Sequence, residues 1–300
     1  MRKTKKIWLN GKFLDWEKAK VHILTHGLHY GSGVFEGIRA YQTSHGLAIF
    51  RLKEHLERFF YSAKILKMPI PYSKSKIKQA ILKLIKLNEV KDCYIRPIAF
   101  FGYGKMGLLP KGAPVNLALA LWPWEAYLGQ KPIKVKISRY IRLHPQSAEI
   151  KAKLCGYYVN SILASLEAEK AGCQEALLLD HKGFISEGPG ENIFIVKRRS
   201  LFTPPPQTIL PGITRDTIMK IAKDLNLKVY EKNIKPSELK KVEEAFFCGT
   251  AVEICPIGKI NNTWINKGEV GPITQKIKET FQKIVRGEIK KYRKWLTFVK

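Results

Sequence analysis

"EIKAKLCGYYVNS", residues 149–161, carries two lysines two positions apart, just ahead of a glycine and a pair of tyrosines. What flanks it decides the fold class. Upstream, "IKVKISRYIRL" (133–143) alternates apolar and polar residues as a strand does. Downstream, residues 157–171 have the spacing of an amphipathic helix, and "EALLLD" (175–180) reads as a strand. "FISEGPGENIFIVK" (184–197) reads as two strands around a Gly-Pro-Gly bend. "ITRDTIMKIAKDL" is a helix reached through Pro211 and Gly212, "LKVYEKNI" and "EAFFCG" are strands, and residues 272–286 form a closing helix. Toward the N-terminus, "KIWLNGKFL" has two short apolar runs around Asn10-Gly11, a hairpin signal. "LAIFRL" reads as a strand and Lys53 to Lys67 as a helix. Ser73 can cap a second helix whose Ile77, Ala80, Ile81, Leu84 and Leu87 share a face. "CYIRPIAFFGYG" and "VNLALALWPW" read as strands. Strict strand–helix alternation is missing, so the expected class is α+β in two lobes. The turn-rich "LGQKP" (128–132) supplies the joint. The expected division is a small α+β domain over 1–127, a linker at 128–134, and a larger α+β domain over 135–300 that carries the lysine pair.

Composition narrows the function classes. The 300 residues include 45% hydrophobic ones, ordinary for a globular protein. The basic start "MRKTKKIWLNGKF" has no apolar stretch behind it, so no secretory signal is expected. No run of about 18 apolar residues spans a membrane. Five cysteines without a CxxC pair read as reduced thiols in a cytoplasmic protein, and no metal-ligand spacing occurs. The 53 Lys and Arg against 25 acidic residues give a net charge of +28. Such a balance suits nucleic acid, an acidic membrane surface or anionic small molecules. The basic residues are spread along the whole chain, with no zinc-ligand spacing, RNP-like motif or basic heptad, so specific nucleic-acid binding is not expected.

Four stretches can carry chemistry. At neutral pH only about one ordinary lysine in 2,500 is a neutral nucleophile, so a catalytic lysine needs burial or nearby cations. Leu154, Tyr157 and Tyr158 give Lys153 an apolar setting, but the residues alone leave Lys151 and Lys153 both open, and both as ordinary solvated charges. In "ISEGPGEN" (185–192), Glu187 and Glu191 flank a bend whose glycines let backbone approach a ligand. A glutamate held there can pair with a protonated ring nitrogen; a plain polar turn would look the same. In "LPGITRD" (210–216), Ile213 and Thr214 open a helix, whose free N–H groups bind phosphate. "CGTAVE" (248–253) is a Gly-Thr turn able to form an anion nest, and Arg58 in "KEHLERFF" can add a guanidinium fork. Finally, "HYGSGVFEGIRAY" (29–41) with "YIRP" (94–97) joins aromatic surface to Arg96 inside an apolar strand. An arginine there needs a partner, either a ligand carboxylate or a protein aspartate or glutamate.

Taken in order, "GLHYGSGVFEGIRAY", "EHLERF", "YIRP", "KAKLCGYYVNS", "ISEGPGENIF", "LPGITRD" and "GTAVEI" resemble the class IV aminotransferases, which bind pyridoxal 5′-phosphate (PLP). D-amino acid aminotransferases and aminodeoxychorismate lyases share the lysine and "SEG.GEN"-like pieces; "FEGIRAY" and "YIRP" favour the branched-chain group. The resemblance implies that Lys153, three residues before Gly156 and five before Tyr158, is the catalytic Schiff-base lysine, and that Lys151 is not. It further implies that Tyr158 contacts the cofactor's phenolic oxygen and Glu187 its pyridine nitrogen, with Asn192 beside it. Arg58, the backbone of Ile213 and Thr214, and Thr250 are implied to hold the phosphate. Tyr94, Arg96, Thr250 and Ala251 match substrate-contacting positions, while Phe35 and Tyr158 help form the apolar pocket. Tyr30 and the loop near Met106–Leu108 reach, in the family, into a neighbouring subunit's site, implying a homodimer or higher homo-oligomer. Two departures concern pocket shape: Cys155 stands where a small residue is usual, and Cys255 where threonine is common. The implied activity is transamination of L-leucine, L-isoleucine and L-valine with 2-oxoglutarate, so the expected partners are small-molecule amino acids and 2-oxo acids.

Overall fold

The computed structural model describes residues 2–124 and 131–299. In chain order the first elements are strands β1 (Lys6–Leu9) and β2 (Lys12–Asp15), helix α1 (His26–Tyr30), and strands β3 (Gly33–Phe35), β4 (Ile38–Thr43) and β5 (Gly46–Phe50). Helices α2 (Leu52–Ile65) and α3 (Lys74–Asn88) follow, then β6 (Cys93–Phe101), β7 (Val115–Pro123) and β8 (Ile133–Ile137). Next come α4 (Tyr158–Lys170), β9 (Glu175–Leu177), β10 (Asn192–Lys197), β11 (Ser200–Thr203), α5 (Ile213–Asp224) and β12 (Val229–Glu231). The chain closes with β13 (Glu244–Gly249), β14 (Glu253–Ile260), β15 (Thr263–Trp264), α6 (Pro272–Val285) and β16 (Leu296–Phe298). The class is α+β, as expected.

Packing groups the described residues into two units: 2–124, 152–157 and 284–299 form one, and 131–151 with 158–283 the other. This grouping is not a single cut. Of the expected joint at 128–134, residues 128–130 lie outside the described residues, and residues 133 and 134 already belong to β8. The segment carrying Lys153 and residues 284–299, both expected in the larger domain, pack instead with the first unit.

The first unit is built on an antiparallel sheet in the order β16-β5-β4-β6-β7-β1-β2, with β3 paired to β6. Asn10 and Gly11 take φ of 47° and 91°, the left-handed pair that a two-residue hairpin turn between β1 and β2 requires. Side chains alternate across the sheet. Ile95 and Ala99 of β6 and Leu117, Leu119 and Leu121 of β7 pack on one face against Leu56, Phe59 and Ala63 of α2 and Ile77, Ile81 and Leu84 of α3. Ser73 caps α3 as expected, its Oγ accepting from Lys76 N at 3.1 Å. Leu87 is not part of the buried stripe: it is 37% exposed, and Ile85 and Asn88 are buried instead. Asn88 is held there by clasping β1, accepting from Lys6 N at 2.7 Å and donating to Lys6 O at 3.0 Å.

The second unit carries a mixed sheet, β12-β11-β10-β13-β14-β8-β9, with β15 paired to β14. Three pairings are parallel, β11 with β12, β14 with β8 and β8 with β9. "IKVKISRYIRL" ends as a strand at Ile137 because Ser138 turns its hydroxyl to Glu167 at 2.5 Å, breaking the alternation. In "FISEGPGENIFIVK" only the second half is a full strand; the first makes isolated bridges, Leu179 to Ile185 and Glu187 to Asn192. Apolar side chains from Ile133, Leu177, Ile193, Ile195, Phe247 and Ile257 fill its core.

Candidate active site

The candidate residues divide between the two units. In the first, the alternation that sends Ile95 into the core turns Tyr94 and Arg96 to the opposite face of the sheet. Phe35 of β3 shares that face: the Arg96 guanidinium lies 4.7 Å from its ring centre. Arg96 donates to Tyr94 Oη at 3.4 Å and stands over the Trp122 ring at 5.8 Å, while its Nε is buried without a hydrogen-bond partner. No carboxylate pairs with Arg96 among the described residues, so of its two possible partners a protein acid is not seen.

Residues 152–157 join this unit beside β3, bridging it at Leu154 and then winding into a short 3-10 turn over Cys155–Tyr157. Leu154 bridges Val34, Lys153 O accepts from Phe35 N at 3.2 Å, and Lys153 N donates to Ser62 Oγ of α2 at 2.9 Å. Gly156 N donates to Gly31 O at 3.1 Å, an approach so close that a side chain on Gly31, itself at φ 61°, would lie 2.7 Å from Gly156 Cα. Ala152 and Leu154 point into the core, so Lys153 between them points the other way, its ammonium 4.9 Å from the Phe35 ring centre. Lys153 is half-buried, whereas Lys151 is exposed. Phe35 thus sits under two cations, Lys153 and Arg96. Cys155 is half-buried nearby, and burial pushes its thiol up to about 11 although Arg96 and Lys153 pull it down.

Arg58 on α2 is committed to a partner that the sequence did not disclose. Its Nε and Nη2 donate to Glu36 at 2.6 and 2.9 Å, and His55 Nδ1 adds a third contact at 2.8 Å. Glu36 is fully buried; burial raises its carboxyl, but the Arg58 charge and the His55 contact outweigh this and hold it well below the usual carboxylate range. Tyr30 is 43% exposed at the end of α1, and its ring lies 4.6 Å from that of His26. His26 Nε2 is 2.7 Å from Gly107 O, so Tyr30 and the exposed loop of Met106 and Leu108 are tied through one buried ring.

In the second unit Glu187 is buried and surrounded by donors. Arg142 Nε donates at 2.6 Å, Asn192 Nδ2 at 3.0 Å and Leu210 N at 3.1 Å. Nothing in "SRYIRL" distinguishes Arg142 from the chain's other basic residues; only the fold reveals it. Asn192 also donates to Leu210 O at 2.9 Å, which fixes the segment leading into α5. There Gly212 precedes Ile213 and Thr214, and a side chain on Gly212 would lie 2.0 Å from Asn192 Oδ1. The turn Thr250–Ala251 joins β13 to β14, and a side chain on the adjacent Gly249 would lie 3.4 Å from Gly190 O. The bend at 187–192 therefore lies between the start of α5 and the 249–251 turn, which brings Glu187, Asn192, Ile213, Thr214, Thr250 and Ala251 into one neighbourhood. Tyr158 begins α4, half-buried.

The sequence model of the family described as "Amino-transferase class IV" matches residues 33–260. The chain belongs to that family. Among class IV aminotransferases it is 43% identical, over 98% of its length and 97% of the relative's, to the branched-chain-amino-acid aminotransferase of Pseudomonas aeruginosa. Two solved structures overlay nearly the whole chain. The branched-chain aminotransferase of Thermoproteus uzoniensis with norvaline has a TM-score of 0.95 at 42% identity, over 99% of this chain and 100% of that one. The T.th. branched-chain amino acid aminotransferase complexed with N-(5′-phosphopyridoxyl)-L-glutamate has a TM-score of 0.97 at 42% identity, over 100% of both. The described residues of this class IV aminotransferase include no helix long and apolar enough to cross a membrane.

Proposed function

We propose that the protein is a PLP-dependent branched-chain amino acid aminotransferase, moving the amino group of L-leucine, L-isoleucine and L-valine to 2-oxoglutarate to give branched 2-oxo acids and L-glutamate. One observation carries this reading: the whole chain overlays a branched-chain aminotransferase solved with an adduct of cofactor and glutamate. The residues present suit the cofactor. A half-buried lysine offers an amine, a buried carboxylate is kept supplied with donors, and α5 opens at a glycine that lends no side-chain cap. PLP, when bound, supplies the electron sink that lets an amino acid lose its Cα proton. Lys153 Nζ is the group assigned to take that proton and return it. Glu187, as a carboxylate, would accept a hydrogen bond from the pyridine nitrogen and keep that nitrogen protonated, with Asn192 steadying the carboxylate. Tyr158 would face the phenolic oxygen. The backbone N–H groups of Ile213 and Thr214, with Thr250 and Arg58, would hold the phosphate. Arg58 would do so with its Nε already fixed by Glu36. Phe35, Tyr30 and Tyr158 suit a branched apolar side chain, while Arg96 and Tyr94, with Thr250 and Ala251, suit carboxylates.

The expected setting is cytoplasmic, in a homodimer or higher homo-oligomer to which Tyr30 and the 106–108 loop contribute. The charge of +28 belongs to the surface in general, so binding to nucleic acid should be weak and lost with added salt. The purified protein should be yellow and transfer the amino group of L-leucine, not D-leucine, to 2-oxoglutarate, and borohydride should fix the cofactor on residue 153. Inertness toward L-leucine, or a label on Lys151, would overturn the reading.

A further inference from the structure

We infer that Arg142 decides where the proton shared by Glu187 and the PLP ring nitrogen rests, and keeps it on the nitrogen. This rests on the assignment of Glu187 to that nitrogen made above. A carboxylate and a pyridinium brought together out of water do not automatically stay ionised: burial favours the neutral pair, a carboxylic acid beside a neutral pyridine. Glu187 is 5% exposed and Arg142 is 9% exposed, so desolvation acts on both.

Donors reach the carboxylate from each surrounding segment: Arg142 after β8, Asn192 at the start of β10 and Leu210 ahead of α5. Of these, only Arg142 carries a charge. The neighbouring acid, Glu191, directs its Oε2 to the Gly190 N–H at 3.0 Å. Arg142 is itself well fixed, its backbone N donating to Leu179 O at 2.7 Å, while its buried Nη1 finds no hydrogen-bond partner. A guanidinium at this range lowers a carboxyl's proton affinity roughly ten- to a thousandfold. Arg142 is therefore a positioning residue: it makes Glu187 a poor proton acceptor, so that the ring nitrogen keeps the charge on which carbanion stabilisation depends.

Side-chain geometry separates the charge from the hydrogen bond. Glutamine places an amide nitrogen where arginine has Nε, so Arg142→Gln keeps the donor and deletes the charge, while Arg142→Lys keeps a charge. The test is the nitrogen-15 NMR signal of ring-labelled PLP bound to each protein. The wild-type protein and Arg142→Lys should give a pyridinium signal; Arg142→Gln should move at least tenfold in proton ratio toward neutral pyridine while keeping bound cofactor and a native circular-dichroism spectrum. An unmoved pyridinium signal in Arg142→Gln sinks the inference alone, as does a variant that takes up no cofactor, which would make Arg142 a binding residue. If Arg142→Gln does not fold, Arg142→Lys decides: a neutral-pyridine signal despite the retained charge overturns the idea. A neutral ring nitrogen in the wild-type protein overturns the Glu187 assignment as well.

Discussion

Glu36 shows how a single buried residue couples stability to pH. Burial pushes its carboxyl up, yet Arg58 and His55 together hold it low. His55 is lowered from 6.5, first by burial and then by the nearby Arg58 and Arg51 charges, against the upward pull of Glu36. Both groups bind protons more readily in the unfolded chain than in the folded one. Their contribution to stability is therefore complete above the ordinary histidine value of 6.5 and declines as pH falls, first through His55 and then, below 4.5, through Glu36. Urea unfolding should show lower stability at about pH 4 than at about pH 7, and in Glu36→Gln the His55 share of that slope should grow, because the upward pull of Glu36 on the imidazole is gone. That substitution removes the buried negative charge opposite the Arg58 guanidinium and should reduce stability by about 3–5 kcal/mol at neutral pH. A loss below about 1 kcal/mol would mean that water reaches Arg58 and the pair is effectively exposed.

At the scale of elements, the start of α5 is built against the end of the Glu187 bend. Asn192 cannot yield to a methyl group on Gly212, because its amide is already engaged with Glu187 and Leu210 O. Gly212→Ala should therefore displace Asn192 and lose its hydrogen bond to the buried carboxylate, a loss of roughly 1.5–3 kcal/mol. In Asn192→Ala the same Gly212→Ala change should do much less, because the group it displaces is gone; additive losses would show that the methyl group acts on something else. The elements differ in how far the sequence disclosed them. The β1–β2 hairpin, α2, α3, β6 and β7 were legible because turn chemistry, capping and alternation agreed. β14 was not, since Pro256 in mid-strand reads as a breaker. Among site residues, Lys153, Glu187 and the 212–214 helix start stand in local motifs. Glu36 and Arg142 act through partners 22 and 45 positions away in sequence, a pairing that no local pattern encodes.

Over the whole molecule, the first unit's sheet is finished by the last strand of the chain. β16 lines β5 through Leu296 to Phe50, Thr297 to Ile49 and Phe298 to Ala48, and Arg51 N donates to Trp295 O at 2.7 Å. Removing residues 290–300 should strip hydrogen-exchange protection from the β5 amides and lower the denaturation midpoint; β5 amides as protected as in the full chain would show that β16 is dispensable. The same pairing has a consequence for the chain while it is being made. On the ribosome β5 emerges early, yet its neighbour is translated roughly 240 residues later, about 12–50 s at 5–20 residues per second. Throughout that interval an apolar strand, Ala48-Ile49-Phe50, faces the cell with an open edge. The nascent protein thus has a waiting period in which a second copy on the same message can take the place reserved for its own C-terminus, so slower initiation or a chaperone at the tunnel exit should raise the soluble yield more than any change to the finished fold.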